Sequence, residues 1–535
     1  MTDAKLLDCT LRDGGYYNQW NFPRELVDLY LNAMAASGVT YVEMGLRTLK
    51  VGGFKGAYAY TTDQFLRSLD APNTLTLGVM VNAAEWEKEG PTDSLLKRLF
   101  PENASNSPID LVRVACHVHE FSRALPASAW LKDRGYHVGF NLMQIAGRST
   151  TDVAKLAAEA EKWPIDVLYF ADSLGGMAPT DVEAMVEALR NGWSGALGIH
   201  THDNLGLALS NTLRAESLGV DWLDATVTGM GRGPGNAKTE HLVLELAEMR
   251  DSTINVLPLT KLIRNHFRPM QIEHGWGTNF FYYLSGKYGI HPSYVQAMLK
   301  DSRYEEEDIL AVLEQLKNDG GSRYSASALD TARSFFEGEP SGTWDPKEAF
   351  KGVEVLIIGA GPGVSEHQDA LESFVRRKKP IVVALNAQNG LDSTLIDYRA
   401  ACHPLRLLAD WTSRESKAQP LIAPASMLPQ RIREHLGSRS FRDFGIAVRP
   451  GEFDFHRHHC VLPRSLVVGY ALAAAACGEA ERVYLAGFDG YGADDPRTTE
   501  MRELIELYTA KGDVPELISL TPTQYPIAIQ SVYAF

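Results

Sequence analysis

Eight short apolar runs, spaced through the first 250 residues, limit what this chain can fold into. They read LLDCTL (6–11), YVEMGL (41–46), LTLGVMV (75–81), LVRVAC (111–116), HVGFNLM (137–143), VLYFADS (167–173), ALGIHTH (196–202) and LDATVTG (223–229). Each is bounded by Gly, Asp or Asn, as strands are. Between several lie amphipathic stretches such as TDVAKLAAEAEKW (151–163) and TDVEAMVEALRNG (180–192), each opening with a Thr or Asp able to cap a helix. Strand alternating with helix implies a parallel sheet. Eight such repeats in this length imply a closed (β/α)8 TIM barrel, an α/β fold.

Barrel chemistry sits at the C-terminal ends of the strands, and the polar residues collect there. Arg12 and Asp13 end the first run, and Glu43 lies in the second. Arg113 lies in the fourth and His117 follows it, and Asn141 and Gln144 belong to the fifth. Asp172 and Ser173 end the sixth, and His200 and His202 the seventh. A charged Arg-Asp pair at a strand end is costly unless paired. The following Gly14-Gly15 is expected to turn the backbone sharply or admit a ligand. His200 and His202 are two apart, so on a strand both face one side. With Asp203 and Asn204 beyond them they make half of a metal site. After the eighth run comes the loop GMGRGPGNAKTE, 229–240.

With 535 residues the chain is too long for one core, so at least two domains are expected. The net charge of −15 and the lack of a long basic run argue against nucleic-acid binding. No apolar run is long enough to span a bilayer, and the first residues do not read as a secretory signal. Five scattered cysteines give neither zinc spacing nor a disulfide framework, which suits a reducing cytoplasm.

Taken together, DCTLRDG, HTHDNLGLALSN and GMGRGPGNAKTE resemble the DRE-TIM metallolyases. VRVACHVHE (112–120) and ADSLGGM (171–177) make the chain most similar to the 4-hydroxy-2-oxovalerate aldolases, over about residues 4–250. The resemblance implies a divalent metal ion held by Asp13, His200 and His202, with Asn236 as a further ligand. Mn2+ stands first, with Mg2+, Co2+ and Zn2+ open, because imidazole and carboxylate suit several metals. Arg12 maps to the arginine that polarises the keto oxygen, and Glu43 to its partner. Arg113, Asn141, Gln144, Asp172 and Ser173 are then expected to bind substrate. A 2-oxo acid such as pyruvate would lose a C3 proton, and its enolate would attack, or be released from, an aldehyde. Where the aldolases have a histidine three residues after the metal aspartate, this chain has Tyr16. A water chain, Tyr16 or His117 is left as the general acid/base. The rivals are Claisen-type condensation with an acyl-CoA and a catalytically silent scaffold.

Residues 258–333 read as a helical extension packed on the barrel, in which Tyr282 or Tyr283 could reach its mouth. Residues 334–350 read as a linker. From 351 a Rossmann-like domain is expected, opening with VEVLIIGAGPGVSEHQDAL. Its turn, Gly359, Gly361 and Gly363, misses the full dinucleotide fingerprint but offers N–H groups to a phosphate. With Asn386, His456, Arg464 and Ser465 this half is weakly similar to bacterial CMP-sugar sialyltransferases. A CMP or nucleotide-sugar ligand is therefore expected. The expected whole is a bifunctional cytoplasmic homo-oligomer extending a sugar aldehyde in surface polysaccharide synthesis.

Overall fold

The computed structural model describes residues 4–86, 90–301, 304, 306–322, 324, 339–386, 390–403, 407, 419–428, 433–434, 440–491 and 495–535. The chain splits into two compact units, Met1–Ala297 with Gly320–Arg323, and Met298–Asp319 with Tyr324–Phe535.

In the first unit eight parallel strands close a barrel in sequence order. They are β1 (Lys5–Asp8), β2 (Tyr41–Leu46), β3 (Thr76–Asn82), β4 (Leu111–His117), β5 (His137–Met143), β6 (Val167–Asp172), β7 (Ala196–Thr201) and β8 (Trp222–Ala225). β1 closes against β8 with Leu7 opposite Asp224. Strand period 2 splits each strand between two cores. Leu6, Val42, Val112, Leu168, Ile199 and Leu223 join the large outer core under the helices. Leu7, Cys9, Leu111, Val167, Tyr169 and Trp222 form a small plug. The alternate positions that continue the plug upward carry the charged residues Glu43, Arg113 and Asp224 and the imidazole of His200.

Two local expectations are corrected. The strand at the start ends at Asp8, and Arg12, Asp13, Gly14 and Gly15 lie within a helix, Thr10–Asn18. The two glycines do not turn the chain. A Cβ on Gly14 would lie 2.4 Å from the Met230 sulfur, and one on Gly15 would lie 2.0 Å from the Trp20 ring. The helix caps also move. Ser149 caps the Thr150–Ala160 helix. The Pro179–Arg190 helix starts at Ala178, whose N–H donates to Asp181 at 2.8 Å.

The second unit carries an eight-stranded sheet whose neighbours all pair in parallel. Its strands are β9 (Glu354–Ile358), β10 (Ile381–Leu385), β11 (Tyr398–Ala400), β12 (Leu421–Ala423), β13 (Phe441–Asp443), β17 (Arg482–Ala486), β18 (Glu516–Ser519) and β19 (Ala528–Ile529). The order is 13-12-11-10-9-17-18-19, so connections diverge between β9 and β17. A separate three-stranded sheet joins β14 (Gly445–Val448), β16 (His459–Leu462) and β15 (Asp454–His456).

The expected extension is divided between the units: residues to Ala297 belong to the barrel unit and Met298–Asp319 to the second. The expected linker is not a free tether where it is described. Trp344 and Phe350 are buried in the second unit's core, because two large aromatics gain more from burial than from solvent. The readings over 325–333 and 334–338 lie outside the described residues.

Candidate active site

Helix geometry builds the first part of the site. Arg12, Asp13 and Tyr16 fall on one face of the Thr10–Asn18 helix, since residues three and four apart are neighbours. Arg12 donates from Nε to Glu43 Oε2 at 2.8 Å and from Nη1 to Asp13 Oδ1. Arg113 Nε and Nη2 each reach Glu43 at 2.9 Å, and its Nη1 meets Asp224 Oδ2 at 2.8 Å. Asp224 Oδ2 takes His200 Nδ1 at 3.0 Å, and His200 Nε2 lies 3.5 Å from Asp13 Oδ2. The six side chains therefore close a ring, and all are buried. Two guanidinium groups face three carboxylates, so with the imidazole neutral one negative charge is left over. An uncompensated buried charge is expensive, and a cation beside Asp13 would offset it.

The donor set fits a divalent cation. His202 Nδ1 lies 2.8 Å from the Asp172 backbone oxygen. A carbonyl oxygen only accepts, so His202 carries its proton there and presents Nε2. His200 presents Nε2 for the same reason, held by Asp224. Burial, then the neighbouring His200, pushes the His202 pKa down to about 3, which keeps a neutral imidazole suited to a metal. Burial works to raise the Asp13 carboxyl, but Arg12, His200, His202 and Arg232 outweigh it and hold it below the usual carboxylate range. Asn236 donates from Nδ2 to Asp13 Oδ2 at 3.0 Å, while its buried Oδ1 has no hydrogen-bond partner.

The ligating atoms of Cys9, Asp13 and His200 lie within 4.8 Å of one another. Sequence reasoning passed over Cys9. Burial pushes its thiol well up, and it donates to Asp13 Oδ2 at 3.7 Å and to Ala225 O at 3.4 Å. Asp224 was also missed, because it sits inside β8 rather than at its end. The alternation that puts Glu43 and Arg113 inward would have found it.

Other expected residues are placed differently. Arg113 cannot touch substrate: it is fully buried, bonded to Glu43 and Asp224 and stacked over Tyr169 at 4.5 Å. The Asp172 carboxylate accepts the N–H groups of Gly176 and Met177, both at 3.1 Å, and so shapes the loop after β6. Burial, opposed by those N–H groups, pushes its pKa up to about 6. Asp203 accepts from Ala208 N at 3.1 Å, and Asn204 anchors the extension through Ser285 Oγ at 3.0 Å. Ser173 Oγ accepts from Gln144 N at 2.9 Å, and Gln144 holds a strained φ of 55°. Asn141 is buried with Oδ1 unpartnered. Arg12 likewise has a buried Nη2 without a partner, a donor left for a ligand oxygen. Tyr16 is 42% exposed, under the Arg232 guanidinium at 4.3 Å. The His117 ring stacks on His119 at 5.6 Å. Tyr282 is buried beside Gly233, and Tyr283 is exposed.

In the second unit the glycine turn is already filled. Gly359 N–H donates to Ala486 O at 2.8 Å, Gly361 N–H to Gly487 O at 2.9 Å and Gly363 N–H to Asp489 Oδ1 at 3.1 Å. A Cβ on Gly361 would lie 2.1 Å from Asp489 Oδ2. The glycines serve this close approach, and the N–H groups expected for a phosphate are spent. Arg464 pairs with Glu503 at 3.4 Å and Glu500 at 3.6 Å. Arg464 and Ser465 precede the Val467–Cys477 helix, whereas the His456 backbone oxygen meets Cys477 Sγ at 3.1 Å at the far end. Eleven residues of helix separate them by about 16 Å. His456 therefore does not join the turn, Asn386 and Ser465 in one site.

A closed parallel barrel with two inward imidazoles, a carboxylate and an arginine at its C-terminal end defines the class of (β/α)8 carbon–carbon lyases. The chain belongs to the HMGL-like DRE-TIM family, and its barrel half is similar to the 4-hydroxy-2-oxovalerate aldolases. The family profile described as HMGL-like matches residues 111–264. The 4-hydroxy-2-oxovalerate aldolase of Thermus thermophilus is 32% identical over 243 residues, 45% of this chain and 68% of its own length. The oxaloacetate decarboxylase of Mycobacterium tuberculosis is 28% identical over 243 residues, 45% of this chain and 69% of its own length. Among solved structures, the N-terminal domain of a putative aldolase from Bacteroides vulgatus is 33% identical, with TM-score 0.51, covering 56% of this chain and 97% of that one. Among the described residues no helix is long and apolar enough to cross a membrane.

Proposed function

We propose that the barrel makes or breaks a carbon–carbon bond beside a pyruvate-type enolate, with a divalent metal held by Asp13, His200, His202 and Asn236. Asp13 and His200 facing each other across 3.5 Å, beside an arginine with an unpartnered Nη2, carry this reading. Retro-aldol cleavage of a 4-hydroxy-2-oxo acid and decarboxylation of oxaloacetate, the reactions in the relatives' names, both release the pyruvate enolate. Bound there, the metal would act as a Lewis acid on the 2-oxo acid. Arg12 Nη2 donates to the keto oxygen and strengthens that bond as negative charge gathers on it. Glu43 fixes the guanidinium, and Asp224 fixes the His200 tautomer. Asn141 and Gln144 line the substrate side. Tyr16, on the same helix face as Asp13, and His117, at the end of β4, are the proton carriers we assign. Manganese is the metal we would load first.

The test is chelation followed by metal add-back, with deuterium exchange at pyruvate C3 as readout. Exchange is expected to disappear on chelation, return with metal and be lost in His200→Ala. Exchange indifferent to both treatments refutes the reading. Tyr16→Phe and His117→Gln separate the two proton carriers by the same readout.

For the second unit we infer a ligand crevice between β9 and β17, where connections diverge. Asp489, after β17, and Asn386, after the neighbouring β10 and held at φ 52°, each keep a buried, unpartnered side-chain oxygen. Two acceptors beside spent N–H groups favour the hydroxyls of a ribose or sugar over phosphate, which fits a nucleotide or nucleotide sugar bound through its sugar. Calorimetry of the full chain with CMP, UDP, NAD and a CMP-sugar tests this, and no heat from any of them refutes it.

A further inference from the structure

Arg232 stands in the loop after β8, where the proposed reaction has no use for it. The loop holds it firmly. Tyr17 Oη donates to Gly231 O at 3.0 Å and accepts from Gly233 N at 3.2 Å, so both neighbours of Arg232 are pinned to one hydroxyl. The Tyr17 ring is itself packed on His274 at 5.3 Å and Trp276 at 5.6 Å. The guanidinium lies over the Tyr16 ring at 4.3 Å, on the helix face that also bears Arg12 and Asp13. It acts electrostatically on Asp13, on His202 and on His291. The only carboxylate in that set, Asp13, pairs with Arg12 and faces His200 rather than Arg232, and its remaining charge is the one offered to the metal. Among the described residues the Arg232 guanidinium makes no ion pair and no hydrogen bond; only the backbone oxygen is used, by Gly235 N at 3.3 Å. A cation held in place at the mouth, stacked on an aromatic ring and lacking a protein anion, is arranged for an anion from outside.

We propose that Arg232 recognises an anionic group, carboxylate or phosphate, on the aldehyde that meets the enolate. This rests on the enolate chemistry of the previous subsection and names the class of its second substrate. The Arg12 side of the site takes the 2-oxo acid's own oxygens, so Arg232 serves the other partner. In the condensing direction C3 of pyruvate gives up one proton and bonds to the aldehyde carbon, and the aldehyde oxygen takes up one proton to become the 4-hydroxyl. The product is a 2-oxo-4-hydroxy acid with a second anionic end. Tyr16, where the resembled aldolases have histidine, is then the platform on which the guanidinium rests.

The experiment measures kcat/KM for condensation of pyruvate with matched aldehydes in the metal-loaded full chain. The pairs are pentanal with succinic semialdehyde, and glyceraldehyde with glyceraldehyde 3-phosphate. At low salt the wild type is expected to favour the anionic member of at least one pair by about tenfold or more, the value of one charge-assisted hydrogen bond. Whichever pair shows it identifies carboxylate or phosphate. The preference should shrink with added salt, drop to within about threefold in Arg232→Met and partly survive in Arg232→Lys. A wild type without preference, or Arg232→Met that keeps it, overturns the proposal. Deuterium exchange at pyruvate C3 in the wild type, without aldehyde, separates the two readings. Its absence overturns the enolate reading and this one together, whereas exchange without an anionic preference overturns this one alone.

Discussion

Arg113→Met tests the claim that the charged ring inside the barrel is a structural unit rather than a substrate subsite. The side chain is fully buried and makes four bonds: two to Glu43 at 2.9 Å and two to Asp224 at 3.0 and 2.8 Å. Bonds of this charged kind are each worth about 1.5–3 kcal/mol before desolvation is counted. Methionine fills much of the volume but strands two carboxylates, and the ring's excess rises from one negative charge to two. Breaking a buried pair on one side costs about 3–5 kcal/mol. In a unit of this size that lowers the barrel's melting temperature by about 6–20 °C. Calorimetry of the full chain measures the shift. Glu43→Gln combined with Arg113→Met should cost less than the sum of the single changes, because the second removes a charge the first has stranded. The reasoning is refuted if Arg113→Met raises KM for pyruvate while the melting temperature falls by less than about 2 °C.

Acid should act on the barrel in two opposite senses. Asp13 and Asp224 have folded pKa values below the ordinary one, so their stabilisation is complete at neutral pH and is lost as pH falls through those values. Asp172 is raised to about 6, so it binds protons more tightly folded than unfolded, and its contribution declines as pH rises from about 4 to 6. Comparing urea midpoints of wild type and Asp172→Asn across pH 4–7 should show that decline only in the wild type. Gly361→Ala should lower the second unit's melting temperature by several degrees, since its Cβ meets Asp489 Oδ2 at 2.1 Å, whereas Gly52→Ala, with open space around it, should not. Acetyl-CoA should not replace the aldehyde as second substrate in a thiol-release assay, and turnover with it would favour the Claisen rival.

The barrel was legible because its signals are local. Each strand announces itself in six or seven residues, and all eight expected runs overlap observed strands. His200 and His202 come with a strand-end position that barrel geometry makes meaningful, whereas Asp13, read at a strand end, lies in the first turn of the helix after β1. What could not be read is non-local. Arg12 and Arg113 look alike at a strand or helix start, yet one keeps an unpartnered Nη2 and the other spends its donors on Glu43 and Asp224. Nothing within six residues of Arg113 announces partners 70 and 111 residues away. The Gly359–Gly363 turn failed in the same way. Its pattern is local, but the carboxylate that fills it comes 126 residues later from the end of β17.

The ring also explains why the site can be both charged and buried. An isolated Asp13 at this depth would be driven to protonate. Here Arg12 holds it ionised, Glu43 holds Arg12, Arg113 holds Glu43, Asp224 holds Arg113, and His200 joins Asp224 back to Asp13. Each charge is fixed on two sides, so removing any member releases the geometry of its neighbours as well as its own charge. The one negative charge that remains lies at Asp13, whose Oδ2 has His200 Nε2 at 3.5 Å and Asn236 Nδ2 at 3.0 Å. The barrel thus uses four ionised groups and an imidazole to present one carboxylate, already ionised and oriented, to a cation. Arg232 stands outside the ring, and among the described residues its guanidinium pairs with no carboxylate.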